Sequence, residues 1–179
     1  MKNKTRLFSI LFFVITGLIY NENNFAQPAS TKGANMKISS PAFQHNQTIP
    51  SKFTCEGEDV NPALMIADVP ADAKSLALIV DDPDAPGKTW VHWVVFNIPP
   101  ALQQISENSI PGKQGMNDFG RLNFGGPCPP SGEHRYFFKL YALDTTLNLK
   151  EGVTKKQVEA AMQGHILSQA ELIGLYKKS

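Results

Sequence analysis

Zinc sites are usually written in closely spaced cysteines and histidines, and this sequence has neither spacing. Its two cysteines, Cys55 and Cys128, form no CxxC pair, and its four histidines form no His-x-His or His-x3-His pair. A metal held by two His and one or two Asp is therefore set aside, and no cofactor is expected. Net charge is scarce as well: 17 Lys plus Arg against 16 Asp plus Glu leave +1. Without a basic run, no bulk field draws in nucleic acid or an anionic membrane. Internal repeats and low-complexity tracts are absent. So is a nucleophile elbow: Ser131 stands near His134, but Ser131-Gly132-Glu133-His134 lacks the strand–turn–helix setting.

A long hydrophobic run is missing too. The apolar stretch Leu7–Tyr20 is shorter than the roughly 20 residues of a membrane-spanning helix. Lys2, Lys4 and Arg6 precede it, and a polar Asn-Glu-Asn-Asn segment and Phe25-Ala26-Gln27 follow. That order reads as a secretory signal peptide over residues 1–26, cleaved after Ala26, with an uncleaved N-terminal anchor as the alternative. No cysteine near the cut invites lipid modification. Export to the periplasm or the medium is expected, with residues 27–35 as a flexible leader and residues 36–179 as one domain.

Hydrophobic residues at 42% and charged residues at 18% describe an ordinary globular domain. Met36-Lys37-Ile38, Thr48–Phe53 and Leu64-Met65-Ile66 look extended. Ser75–Val80 is a continuous apolar run, as in a strand buried on both faces. Alternation in Trp90–Ile98 puts Trp90, His92, Val94 and Phe96 on one side and Val91, Trp93 and Val95 on the other. Residues 101–124 form a long connection, and Arg135–Leu143 is a strand with His134, Tyr136, Phe138 and Leu140 on one face. Thr154 and Gln157 have capping-box spacing at the start of one helix, whose face would carry Val158, Ala161, Met162 and His165. Ala170–Tyr176 closes the domain as a strand. Many strands and one late helix predict a mainly β, sandwich-like α+β domain.

In an oxidising compartment Cys55 and Cys128 could join, which would close about 70 residues and add on the order of 4 kcal/mol before strain. Two small buried thiols are the other reading, and both stay open.

Two segments carry the chemistry: Asp81–Phe96 (DDPDAPGKTWVHWVVF) and Gly125–Phe138 (GGPCPPSGEHRYFF). Each places turn-forming prolines and glycines ahead of a strand, where loops supply polar groups and strands hold them still. If the loops meet, Asp82, His92, His134 and Tyr136 wall one pocket. Gly125 and Gly126 N–H groups would add donors for a phosphate, sulfate or carboxylate. Asp84 is read as a turn carboxylate bonded to nearby backbone, and His45 and His165 as structural.

These residues resemble the phosphatidylethanolamine-binding protein family, on its bacterial and archaeal branch of Raf kinase inhibitor-like proteins. The marks are Asp82-Pro83-Asp84-Ala85-Pro86, the strand bearing His92, and Gly126-Pro127-Cys128-Pro129-Pro130 followed by His134-Arg135-Tyr136. Cys55-Glu56-Gly57, Asn117-Asp118-Phe119-Gly120-Arg121 and Gly164-His165 support them. The resemblance implies a large antiparallel sheet, a smaller second sheet and peripheral helices. It also implies a small anion pocket of Asp82, His92, Gly126, Pro130, His134 and Tyr136, with Pro86 and Trp90 on the rim. The extra Pro-Cys after Gly126 puts backbone contacts there in doubt.

Three functions follow as expectations. The first is a non-enzymatic binding protein for phosphate, phosphorylated head groups or other small anions, with a membrane met only through such head groups. The second is a protein-interaction module resembling a kinase or protease inhibitor. The third is a hydrolase using His92 or His134 as base. An apolar face near Trp93 would suit either a homodimer or core packing.

Overall fold

The structure is a computed structural model that describes residues 35–179. The expected signal peptide, its cleavage point and nearly all of the leader lie outside the described residues.

In chain order the strands are β1 (Lys37–Ser39), β2 (Gln47–Thr48), β3 (Leu64–Ala67), β4 (Ser75–Asp82), β5 (Trp90–Ile98), β6 (Gln104–Ile105), β7 (Lys113–Gln114) and β8 (Glu133–Leu143). Helix α1 (Lys155–Met162) and β9 (Ile166–Lys177) complete the set. Two sheets form, a small one in the order β1-β3-β6 and a large one in the order β2-β9-β8-β4-β5-β7. All pairings are antiparallel except β2 with β9. The fold is the expected β-rich α+β architecture.

β4 is the centre of the large sheet, and every one of its eight residues is buried. Burial on both faces favours an apolar run, which residues 76–80 supply, while Ser75, Asp81 and Asp82 at the strand ends are each hydrogen-bonded. Leu76, Leu78 and Val80 face the core between the two sheets, with Trp93, Val95, Tyr136, Phe138 and Leu140. Ala77 and Ile79 face a second core, where Val94, Phe96 and Leu147 meet Val158 and Met162 of α1. Three layers result: small sheet, large sheet, helix with its flanking loop.

The strict alternation expected for β5 does not hold. Val80 pairs with Trp93 and Asp81 with Val91, so one extra residue is accommodated at His92. Such a bulge reverses the facing of everything beyond it. His92 and Trp93 therefore lie on the same side of the sheet, while Val94 and Phe96 fall with Val91 on the helix side. Asn97, at φ 54°, sits at a second irregularity that returns Ile98 to the inter-sheet core. Trp93 is 1% exposed, and its ring belongs to the core between the sheets.

Smaller differences are local. Of the expected Thr48–Phe53 only Thr48 lies in a strand, the two-residue β2, and a 3-10 turn follows at Ser51–Phe53, because Pro50 has no N–H to give a ladder. The connection 101–124 contains the short strands β6 and β7. The capping box of Thr154 and Gln157 is present, but α1 stops at Met162 and Gly164 turns at φ 80°. His165 is consequently off the helix and bonded to Asp144, and β9 begins four residues before the expected Ala170. Gly174 has a packing reason: a Cβ there would meet Ile49 Cγ1 at 2.4 Å and Phe43 Cε2 at 2.8 Å.

Candidate functional site

The two signature segments meet at one end of the inter-sheet core. A cavity of about 280 Å³ opens there, lined by Asp82, Ala85, Pro86, Trp90, His92, Phe119, Cys128, Pro130 and Tyr136. The fold brings these together for simple reasons. Asp82 ends β4 on the face of Val80, Trp90 and His92 begin the neighbouring β5, and Tyr136 lies near the start of β8 on β4's other flank. Every polar group is thus delivered from a strand end, where a rigid sheet fixes it.

Asp82 is 3% exposed and both its oxygens are engaged. Oδ1 accepts the Asp84 N–H at 2.8 Å, and Oδ2 accepts His134 Nδ1–H at 2.7 Å. His134 reaches the site through this bond and does not itself line the cavity. Asp84 is not the local turn carboxylate expected. It receives Arg135 N at 3.0 Å, Nε at 2.9 Å and Nη2 at 2.7 Å, clamping the proline-rich loop onto β8. That fork-on-carboxylate contact holds the Asp84 carboxyl down to about 2.

His92 is 3% exposed. Its Nδ1 lies 2.6 Å from the Gly125 carbonyl, and the Gly125 N–H returns to the His92 carbonyl at 3.0 Å. A carbonyl only accepts, so Nδ1 carries the hydrogen. Burial pushes the ring's pKa below its usual 6.5, which keeps it neutral and leaves Nε2 with a lone pair. Tyr136 is wholly buried; the Cys128 N–H is directed at its oxygen, but no protein group accepts its hydroxyl proton. Burial, with Asp82 beside it, raises the phenol's pKa well above its usual value, so the hydroxyl stays a donor.

Gly126 and its neighbour depart from expectation. The Gly125 N–H is spent on His92, and the Gly126 N–H donates to Asp59 Oδ1 at 2.6 Å. Neither is left for an anion, and Gly126 does not line the cavity. Its role is close approach: a Cβ would stand 2.4 Å from the Phe53 carbonyl oxygen and 2.8 Å from the Thr54 Cα. The Cys55–Cys128 disulfide exists, with the Cα atoms 5.4 Å apart, and Cys55 N–H donates to Pro127 O at 3.1 Å. Cys128 and Pro130 form one wall of the cavity; Pro86 and Trp90 form another. His45 lies elsewhere, its ring accepting the Ile173 N–H.

Sequence reasoning assigned no role to Phe119, whose ring stands edge-on to Trp90 at 5.5 Å and His92 at 5.3 Å. Asn117 places it. Its Oδ1 accepts the Phe119 and Arg121 N–H groups, and its Nδ2 donates to the His92 and Asn123 carbonyls. Asp59, at φ 57°, was missed too; it ties Arg121 and Gly126 together. An Asn or Asp in a long connection gives little sign that its side chain will organise that connection. Among the described residues, no group of three or more His, Cys, Asp or Glu is arranged to hold a metal.

This architecture, two sheets with a small cavity at the end of the core between them, has relatives. The family described as phosphatidylethanolamine-binding protein matches residues 39–177, and the chain belongs to that family. A UPF0098 protein of Methanothermobacter thermautotrophicus is 53% identical over 151 residues, covering 80% of this chain and 99% of that protein. Among solved structures, the phosphatidylethanolamine-binding protein homologue CT736 of Chlamydia trachomatis superposes with a TM-score of 0.79 at 44% identity. E. coli YbcL, described as a member of the mammalian family, superposes with 0.76 at 31%. Each covers 82% of this chain and 100% of its own.

Proposed function

We propose that the chain is an exported, non-enzymatic binding protein whose cavity takes the phosphate of a small phosphorylated ligand. One observation carries the reading: the Tyr136 hydroxyl is buried at the cavity with no acceptor for its proton. An unmet buried donor costs about 1–3 kcal/mol, a cost that a ligand oxygen would relieve. The volume suits a small head group, and the family name points to phosphorylated ligands. Export is supported by the basic-then-apolar N-terminus and by the Cys55–Cys128 disulfide, which suits an oxidising compartment. Calorimetry with inorganic phosphate and O-phosphoethanolamine tests it. Wild type should bind at least one of them, and Tyr136→Phe should weaken that binding roughly tenfold or more. A wild-type protein that binds neither would remove the proposal.

A hydrolytic reading has one observation in its favour. The buried hydrogen bond from His134 to Asp82 orients an imidazole as a general base is oriented. No serine, threonine or free thiol lines the cavity, so water would be the nucleophile. Release of p-nitrophenol from its phosphate or acetate ester, lost in His134→Gln, would favour this reading; no release would dismiss it.

A further inference from the structure

The cavity's polar groups do not form an ordinary anion cradle. No lysine or arginine lines it, and its one acidic lining residue is Asp82. The Gly125 and Gly126 amides are consumed within the protein. Among the lining side chains the donors left are the Tyr136 hydroxyl and, at the rim, the Trp90 indole N–H; beside the Asp82 carboxylate the acceptor is His92 Nε2, whose lone pair is fixed by the Nδ1–H bond to Gly125. A ligand satisfying Tyr136 and His92 must accept at one oxygen and donate from another. A doubly charged phosphate could accept, but it would have no hydrogen for His92 and would lie against the Asp82 charge. From these atoms, and resting on the phosphate-binding reading above, we propose that the site selects a phosphomonoester in its singly charged form, R–O–PO3H−. The P–OH donates to His92 Nε2 and a P–O oxygen accepts from Tyr136.

The groups around His92 are consistent with an acceptor. Phe119 and Tyr136 stand edge-on to the ring. The carboxylates of Asp82, Asp81 and Asp59 act on the ring electrostatically. On the flanking loops and on β8, Arg135 is occupied by Asp84, Lys88 by Asp118, Arg121 by Asp59, and the His134 Nδ1–H by Asp82.

Three ligands separate the terms: methyl phosphate, methyl sulfate and dimethyl phosphate. The last two carry one negative charge and no proton, so they match the favoured ligand in charge and lack its donor. Calorimetry is run at about pH 5.5 and about pH 8, either side of the phosphomonoester's second pKa near 6. Methyl phosphate should bind at least tenfold more tightly than either analogue at the lower pH, and its advantage should fall roughly tenfold per pH unit above that pKa. Taking the ratio cancels any protein titration the three ligands share. His92→Phe should bring the ratio to about one; if that variant does not fold, the wild-type ratio decides alone.

Equal affinities, or an advantage that grows with pH, would overturn the selection while leaving phosphate binding intact. No binding of methyl phosphate, O-phosphoethanolamine or inorganic phosphate at either pH would remove both. Methyl phosphate represents a free phosphomonoester, and phosphatidate in phosphatidylcholine vesicles represents the same chemistry on a lipid. Preferential flotation with phosphatidate over the diester phosphatidylglycerol at the lower pH supports the proposal for the lipid source, and equal flotation with both counts against it there.

Discussion

Asp81 and Asp82 are consecutive, both buried, and serve opposite faces of the same sheet. Asp82 points to the cavity and holds His134. Asp81, 0% exposed, points to the helix side and holds Lys139 at 2.8 Å and Lys155 in a close contact. The alternation of a strand thus separates a cavity-facing carboxylate from one that pins α1 to the large sheet.

Asp81→Asn should therefore act on stability and not on the cavity. It leaves Lys139 without its counter-charge and Lys155 with only Glu159, 3.6 Å away. Removing one partner of a buried ion pair typically costs 3–5 kcal/mol; because both lysines retain some exposure, we expect about 3 kcal/mol. Urea unfolding checks this, with calorimetry on the folded variant as the control. An unchanged midpoint would show that solvent already satisfies both lysines.

The Cys55–Cys128 bond links an early loop to the cavity wall across a separation of 73 residues. Loop-closure entropy gives such a crosslink roughly 4 kcal/mol. The double substitution Cys55→Ser with Cys128→Ser should lower stability by about that order and weaken ligand binding, because Cys128 and Pro130 would be held only by the Asp59 and Pro127 hydrogen bonds. Thermal melts and calorimetry check the two effects separately. Unchanged binding in a folded variant would show that those hydrogen bonds position the wall without the crosslink.

How much of this could be read from the sequence depended on locality. The fold class followed from apolar runs and turn residues, since β4 and β8 advertise their burial in every residue or every second one. Asp82, His92 and Tyr136 lay at strand ends beside stiff loops, and they line the cavity. The facing of Trp93 did not follow, because a bulge depends on a partner strand that the pattern does not contain. Nor did the fate of the Gly125 and Gly126 amides: glycine signals close approach but not what approaches. Here it was backbone, at Phe53 and Thr54. Asn117 and Phe119 gave no sign of their part in the site because the contacts that matter there, to His92 and Trp90, are with residues brought near by the fold.

Gly126→Ala tests that last distinction. An anion-binding glycine would tolerate a methyl on its outer face, whereas this one has the Phe53 carbonyl oxygen 2.4 Å from the Cβ position. Backbone cannot rotate away, so the loop must shift. Overpacking of this kind costs about 1–3 kcal/mol. We expect that loss in urea unfolding, with weaker ligand binding because the displaced loop carries Cys128. A variant as stable as wild type would show that the loop yields freely.

Acid should weaken the fold in two separate windows. Burial holds the His92 ring below its usual 6.5, so as pH falls the unfolded chain takes up that proton first. Stability from this residue is complete above about pH 7 and declines as pH drops through 6.5, at up to about 1.4 kcal/mol per unit, until the folded ring also protonates. Asp84 acts lower: its carboxyl, held at about 2 by Arg135, contributes stability above 3.8 that disappears as pH falls towards 2. Urea midpoints from about pH 7.5 to 5 should slope downward in wild type and less steeply in His92→Phe, whatever the other histidines contribute to both. Parallel slopes would mean that His92 ionises in the folded state as easily as in the unfolded chain. The neutral acceptor on which ligand selection depends would then be lost in the same range.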